Sequence, residues 1–232
     1  MIIQINYNDN NHNNNNNNNN VSPAVYALLH CFLFADLIHS APISSPSDLL
    51  AALREGALRE AAERVKALVE KILRDVPAVH AATVTAEGLT LDPSTSTTNL
   101  QMMVASLGIP PAPVLKPPSE HFSLDVCVSR MSAGSQLYQG MLGVLSDRLS
   151  GLSDLRADLR DLHTHIHKMK EAAQLGAGEA DQNQSLELAS RLHGHYEVQV
   201  AAHLVLTQLR SFCHDLIRSL RAVATYKPPA AH

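Results

Sequence analysis

The stretch "LSDLRADLRDLHTHIHKMKEAA", residues 152–173, decides the fold class. Leu152, Leu155, Leu159, Leu162, Ile166, Met169 and Ala173 recur at alternating steps of three and four. On an α-helix that spacing lines a single face, whereas a strand would scatter the same residues over both of its sides. Asp158 and Asp161 fall between them, where a solvated face is expected. A helix so divided needs other helices to cover its apolar stripe.

Three further segments carry the pattern. The first runs from Ser47, which can cap, through Asp48 in the opening turn to Val76. Its stripe is Leu50, Leu53, Ala57, Ala61, Val65, Leu68, Ile72 and Val76, and Pro77 is expected to end it. The second runs from about Ser119, behind Pro117 and Pro118, to Leu149. Phe122, Val126, Cys127, Met131, Leu137, Tyr138, Met141, Leu142, Leu145 and Leu149 are its apolar members. Gly134, Gly140 and Gly143 each cost that helix about 1 kcal/mol relative to Ala, and glycines that survive in a helix usually let a neighbour come close. The stretch quoted above is the third helix, stopped by "GAG" at 176–178. The last, from about Tyr196 to Ala224, carries Val198, Ala202, Val205, Leu209, Phe212, Leu216, Leu220 and Val223. Leu186 to Arg191 reads as a separate turn, with the break at Gly194. "AATVTAEGLTLD" (81–92) alternates as a strand would, but one short strand cannot stabilise itself. The chain is therefore expected to be all-α, a four-helix bundle.

The connections limit how the helices run. Only a few residues around Ser150 join the second helix to the third, so those two must be antiparallel. The link from Pro77 to Pro118 can climb a whole bundle, so the first two can be parallel. Gly176–Gln184 is short alone, but with Leu186–His195 added a second full crossover is easy. Two long crossovers around a short middle turn give the up-up-down-down order; chain length alone leaves the last orientation open.

At the front, "ALLHCFLFADLIHSAP" (27–42) is the most apolar stretch. Its run from Val25 to Ile38 is shorter than the roughly 20 residues a membrane span needs, and it fits the h-region of a secretory signal. The expected organisation is an Asn-rich low-complexity tract at 1–20, a signal peptide at 21–40 cut after Ser40, a helical domain at 41–228 and a tail at 229–232. The mature chain is not expected to insert in a membrane. Cys31 leaves with the signal, while Cys127 and Cys213 either pair or stay as buried thiols. If the chain is exported, "NQS" (183–185) makes Asn183 a glycosylation acceptor.

Composition closes several function classes. A formal net charge of −4, with no cluster of Lys and Arg and no Trp, argues against a nucleic-acid partner. No Gly-rich phosphate loop, nucleophile elbow or Cys–His pattern points to an enzyme. His163 and His167 stand four apart and could share a zinc, but no third ligand is visible, so neither metal nor cofactor is expected. Tyr138 and Phe212 read as core, Tyr196 as an exposed aromatic anchor.

Four motifs carry a resemblance: "SLGIPPAP" (106–113), "LYQGML" (137–142), "DLRDLHTHI" (158–166) and "LRSFCHDLIRSLRAVA" (209–224). Over about 60–224 the chain resembles the granulocyte colony-stimulating factor family of interleukin-6-like long-chain cytokines. That resemblance implies the up-up-down-down bundle and a secreted growth factor that dimerises a class I cytokine receptor and drives the granulocyte lineage. The family's major receptor surface would map onto Glu63, Arg64 and Lys66 of the first helix and onto Asp158 and Asp161 of the third, the two aspartates being expected on one exposed face. Its second surface would map onto Asn99, Met102 and Ser106 near the long link and onto Tyr196. The chain departs from the family in places. Glu60 and Ala67 stand where basic residues are frequent, and Asn99 where an acid is typical. Cys127 sits at a family cysteine but Pro117 occupies its partner's place, so the two-disulfide pattern is absent. Two other readings fit the same helices: an interleukin-6-type ligand of a shared signalling receptor, and an intracellular structural bundle. Release of a trimmed, glycosylated product separates the last from the others.

Overall fold

A computed structural model describes residues 46–92, 98–115, 123–175 and 184–225. The Asn-rich tract, the expected signal, Cys31, Pro117, Pro118, Ser119, Phe122, the "GAG" stop, Asn183 and the 229–232 tail lie outside those residues. The chain divides into two units, Met1–Asp48 and Leu49–His232. Of the first, only Pro46–Asp48 is described; everything below concerns the second.

The described residues form six helices and no strand: α1 (Pro46–Thr83), α2 (Thr98–Ser106), α3 (Leu124–Ser146), α4 (Ser153–Ala172), α5 (Gln184–Arg191) and α6 (His195–Thr225). The fold is all-α, as the periodicity demands. Helices α1, α3, α4 and α6 are the four amphipathic segments, while α2 and α5 lie within the two long connections. The alternating residues 81–92 form no strand: Ala81–Thr83 finish α1 and the remainder is turn and coil.

Helix α1 departs from expectation at both ends. Pro77 lies inside it, and the helix continues to Thr83. Proline removes the N–H that would bond the carbonyl of Leu73. Pro77 is on the exposed side of the helix, so water can take that carbonyl and the break is not forced. At the other end, Leu50, Leu53 and Ala57 are exposed, Leu53 by 63%. The packed face is Ala62, Val65, Val69, Ile72 and Val76. Periodicity shows which residues share a face, but it cannot say how far along its length a helix has a neighbour.

Helix α3 starts later than the proline signal implied. Ser123 has extended backbone, and its Oγ accepts from the Val126 N–H at 3.4 Å, so Ser123 caps the helix that begins at Leu124. Val126, counted with the apolar members, is exposed. Gly134 does admit a neighbour: a Cβ there would overlap the buried Phe212 ring of α6. Phe212 also leans on Tyr138 of α3, with ring centroids 5.3 Å apart and a tilt of 41°. In α4 the stripe Leu152, Leu155, Leu159, Leu162, Ile166 and Met169 is fully buried. Helix α6 is the most enclosed. Val198 to Leu206 are buried without a break, because "VQVAAHLVL" is apolar nearly all round.

Residue pairs give the sense of each contact. Between α3 and α4, Ser135 meets His163 and Gly143 meets Arg156, so the two are antiparallel. Between α3 and α6, Phe212 meets Gly134, while Arg148, just past the end of α3, donates to the Leu192 carbonyl just before α6. Between α1 and α6, His80 meets His203 and Ala62 lies with Leu220. Between α1 and α4, Lys71 meets Asp158 and Thr83 lies beside Gly151. In every pair the numbers rise on one helix as they fall on the other. Cys127 and Cys213 are both free and buried, which settles the alternatives left by the sequence against a disulfide between them.

Candidate functional site

The first group of expected site residues starts on α1. Glu63 and Arg64 are exposed and adjacent, yet they belong to different flanks, since successive helical residues turn by about 100°. Glu63 pairs with Lys66 at 3.5 Å, and both line an open cleft of about 240 Å³ together with Leu220, Arg221 and Ala224 of α6. They therefore look toward α6. Arg64 takes the other flank, paired with Glu60 at 2.6 Å. Lys71 follows it by seven residues, almost two full turns, on that same side of the helix.

Lys71 is the residue sequence reasoning missed, and it changes the reading of Asp158. The Lys71 ammonium bonds the Asp158 carboxylate of α4 and also reaches Asp75 at 3.1 Å. Asp158 keeps only 15% of its side-chain surface, so the expectation that Asp158 and Asp161 share an exposed face is corrected: Asp161 is 61% exposed, and Asp158 is turned in against α1. The physical reason is the packing of α4 against α1, which places one of two aspartates three residues apart over the seam. The bond from Asp158 raises the Lys71 pKa above its ordinary value, with Asp75 adding to it. The one available signal was Lys71's place two turns from Arg64. Of the five residues expected at the major surface, the structure thus leaves Arg64 and Asp161 exposed along the α1–α4 flank, spends Asp158 on holding the two helices together, and turns Glu63 and Lys66 toward α6.

The second group is assembled at α2. "SLGIP" (106–110) ends this helix and explains its own composition. Leu107 and Ile109 are buried, and Gly108 between them has φ +65, a left-handed backbone that favours glycine. A Cβ at Gly108 would stand 3.1 Å from Arg191 Nε and 3.3 Å from Glu187 Cδ. Arg191, closing α5, donates to the Ser106 carbonyl at 2.8 Å and is steadied by Glu187. One arginine thus ties the end of α2 to the corner that opens α6. Met102, one turn before Ser106, is 62% exposed while Met103 packs on the core. Tyr196, five residues after Arg191, is 58% exposed. Ser106 is exposed, its Oγ donating to the Met103 carbonyl. Asn99 is in α2, its side chain outside the described residues. The structure therefore ties Ser106 to the α5–α6 corner and leaves Met102 of α2 and Tyr196 of α6 exposed.

The long connection, which no disulfide anchors here, is held by α6. Gln199 Nε2 donates to the Thr83 carbonyl at 3.1 Å while its Oε1 accepts the Thr85 N–H at 2.7 Å. His203 meets His80 at 3.0 Å, and Arg210 donates to the Leu91 carbonyl at 3.3 Å. Steps of four and seven put these three side chains on one face of α6. The two histidines whose spacing could have suited a zinc take different partners: His163 turns to Ser135 at 3.2 Å, and His167 to Glu171 at 3.4 Å.

No family model matches the chain. Granulocyte colony-stimulating factor of Bos taurus is 30% identical over 129 residues, 54% of this chain and 65% of that protein. Granulocyte colony-stimulating factor of Homo sapiens is 32% identical over 130 residues, 54% of this chain and 61% of that protein. The match therefore spans less than two thirds of either relative. Over that stretch the chain is similar to granulocyte colony-stimulating factor, at the distance of a diverged relative.

Proposed function

We propose that the chain is a secreted cytokine of the granulocyte colony-stimulating factor type, which binds a class I cytokine receptor at two surfaces and brings two receptor chains together. The likeness to the two growth factors carries this reading. The all-helical bundle supports it, and the contacts of α1 and α3 with α4 and α6 are compatible with the up-up-down-down order that this reading requires. The same reading makes 21–40 a signal peptide and Asn183 a glycosylated residue, and places granulocyte-lineage cells downstream. No described helix is long and apolar enough to cross a membrane.

The major surface is the α1–α4 flank, with Arg64 and Asp161 as contacts, Asp158 supporting it through Lys71, and Glu63 and Lys66 at its far margin. The end surface is Met102, Ser106 and Tyr196, with Asn99 beside them. An aromatic flanked by polar groups is a frequent anchor, and Tyr196 has that setting. Catalysis plays no part; the work is geometric.

The test is sedimentation of the secreted chain with the ectodomain of a candidate class I receptor. A complex with two receptor copies is expected. Arg64→Ala with Asp161→Ala should weaken capture at the major surface, and Tyr196→Ala should leave a one-to-one complex. Full assembly by both variants with unchanged affinity refutes the surfaces. Failure of the unaltered chain to bind any such ectodomain, or its retention inside the cell, refutes the function.

A further inference from the structure

His80 and His203 face each other across the α1–α6 seam, with His80 Nε2 3.0 Å from His203 Nδ1. Both residues are buried, and the rings meet edge to face at 69°. At that distance one nitrogen must carry a proton and the other must accept it. Two neutral rings satisfy this, and so does a pair sharing one added proton. A second proton puts two N–H groups against each other, and the contact must open.

What opens with it is defined by the neighbours. His80 is in the last turn of α1, and its carbonyl accepts the Val84 N–H at 2.8 Å. One turn before His203 on α6 is Gln199, which holds both the Thr83 carbonyl and the Thr85 N–H. Two turns beyond is Arg210, on the Leu91 carbonyl. These polar contacts tie the start of the long connection to α6. The described apolar core, by contrast, is built on residues that cannot titrate in this range: Val65, Val69, Ile72, Leu155, Leu159, Leu162, Val205 and Leu209 among them.

We propose that the His80–His203 pair is an acid-opened latch: near neutral pH it fastens the end of α1 and residues 84–92 to α6, and below it releases that segment while the helical core stays packed. Burial lowers the pKa of both rings from the ordinary 6.5, and the charge of His203 lowers that of His80 further. From α1 the titratable group at the pair is His80 itself. From α6 it is His203, with uncharged Gln199 and Thr207 beside it and the permanently charged Arg210 two turns away. Burial, and for His80 the charge of His203, accounts for these shifts, with no carboxylate contributing among the described residues. Neutral rings therefore favour the closed form above 6.5, and closure is lost as pH falls below it.

The experiment is hydrogen–deuterium exchange on the full secreted chain between pH 7.5 and 5, with exchange times scaled for intrinsic chemistry. Protection of the Val84, Thr85 and Leu89 amides is expected to fall about tenfold per pH unit for each proton taken up. Peptides covering Val65–Val76 and Val205–Leu216 should keep theirs. The double variant His80→Gln, His203→Gln keeps hydrogen-bonding groups but no titration, and should lose the pH response. Unchanged protection of 84–92 down to pH 5 overturns the latch, as does simultaneous loss in every helix, or the same acid response in the double variant. If that variant does not fold, ring-proton NMR of the unaltered chain decides: both rings must titrate below 6.5 in step with the exchange, and titration at or above 6.5 overturns the proposal.

Discussion

Replacing Gly134 with alanine isolates the contact that seats α3 on α6. Alanine is favoured over glycine inside a helix by about 1 kcal/mol, so an unobstructed site would gain that much. Here the new Cβ would overlap the Phe212 ring at Cζ, Cε1 and Cε2. The ring has little room to yield, because it is buried and tilted against Tyr138. Overpacking of a close-packed core costs about 1–3 kcal/mol, and disturbing an aromatic pair about 0.5–1.5 kcal/mol more. The two costs outweigh the helix gain, and the variant should be destabilised by about 0.5–3.5 kcal/mol. Gly143→Ala is the control. A Cβ there meets Arg156 at an ordinary 3.4 Å, so it should be neutral or gain up to about 1 kcal/mol. The assay is urea unfolding followed by helical circular dichroism, which needs no tryptophan. The midpoint should fall for Gly134→Ala with the slope unchanged. Repeating the change in a Phe212→Leu background closes a double-mutant cycle. Leucine is smaller and can turn away, so alanine at 134 should there cost little or stabilise. A Gly134→Ala protein as stable as the original, or an equal cost in both backgrounds, would mean that the glycine is not there for the ring.

Other outcomes follow from the same geometry. His163 is half-buried between α3 and α4, and burial lowers its pKa from 6.5; its neutral ring stabilises fully above 6.5 and loses that effect as pH falls, so His163→Gln should flatten part of the acid slope of urea stability. Burial pushes the Cys213 thiol up to about 12 and raises that of Cys127; both should resist a thiol reagent at pH 8 until urea unfolds the chain, and rapid native labelling would contradict this. Gln199→Ala removes both polar contacts to Thr83 and Thr85, so exchange at residues 84–92 should quicken at neutral pH with little change in α3 or α4. Lys71→Ala breaks the bond to Asp158; because Lys71 is nearly half exposed, the cost to folding should stay below about 1 kcal/mol in urea unfolding.

The sequence by itself determined the helices and their inward faces. Leu152 to Met169 and Val198 to Val223 went into the core at every position their spacing named, because 3.6-residue periodicity is a local property that packing only has to accept. It also separated Tyr138 and Phe212 from Tyr196, since an aromatic among apolar neighbours and one among polar neighbours meet different surroundings. Tertiary structure alone decided matters that depend on what lies opposite. Leu53 shows the same period as Val65 but is left exposed where Val65 is buried. Pro77 looks like a stop, yet its lost hydrogen bond falls on a wet face, and α1 runs on. Asp158 and Asp161 read alike, until the seam with α1 gives the first to Lys71 and leaves the second in water. His80 and His203 are 123 residues apart, and nothing local to either marks the other. A helix face is written in neighbours three and four residues away; a partner across the bundle is fixed only when two such faces have docked.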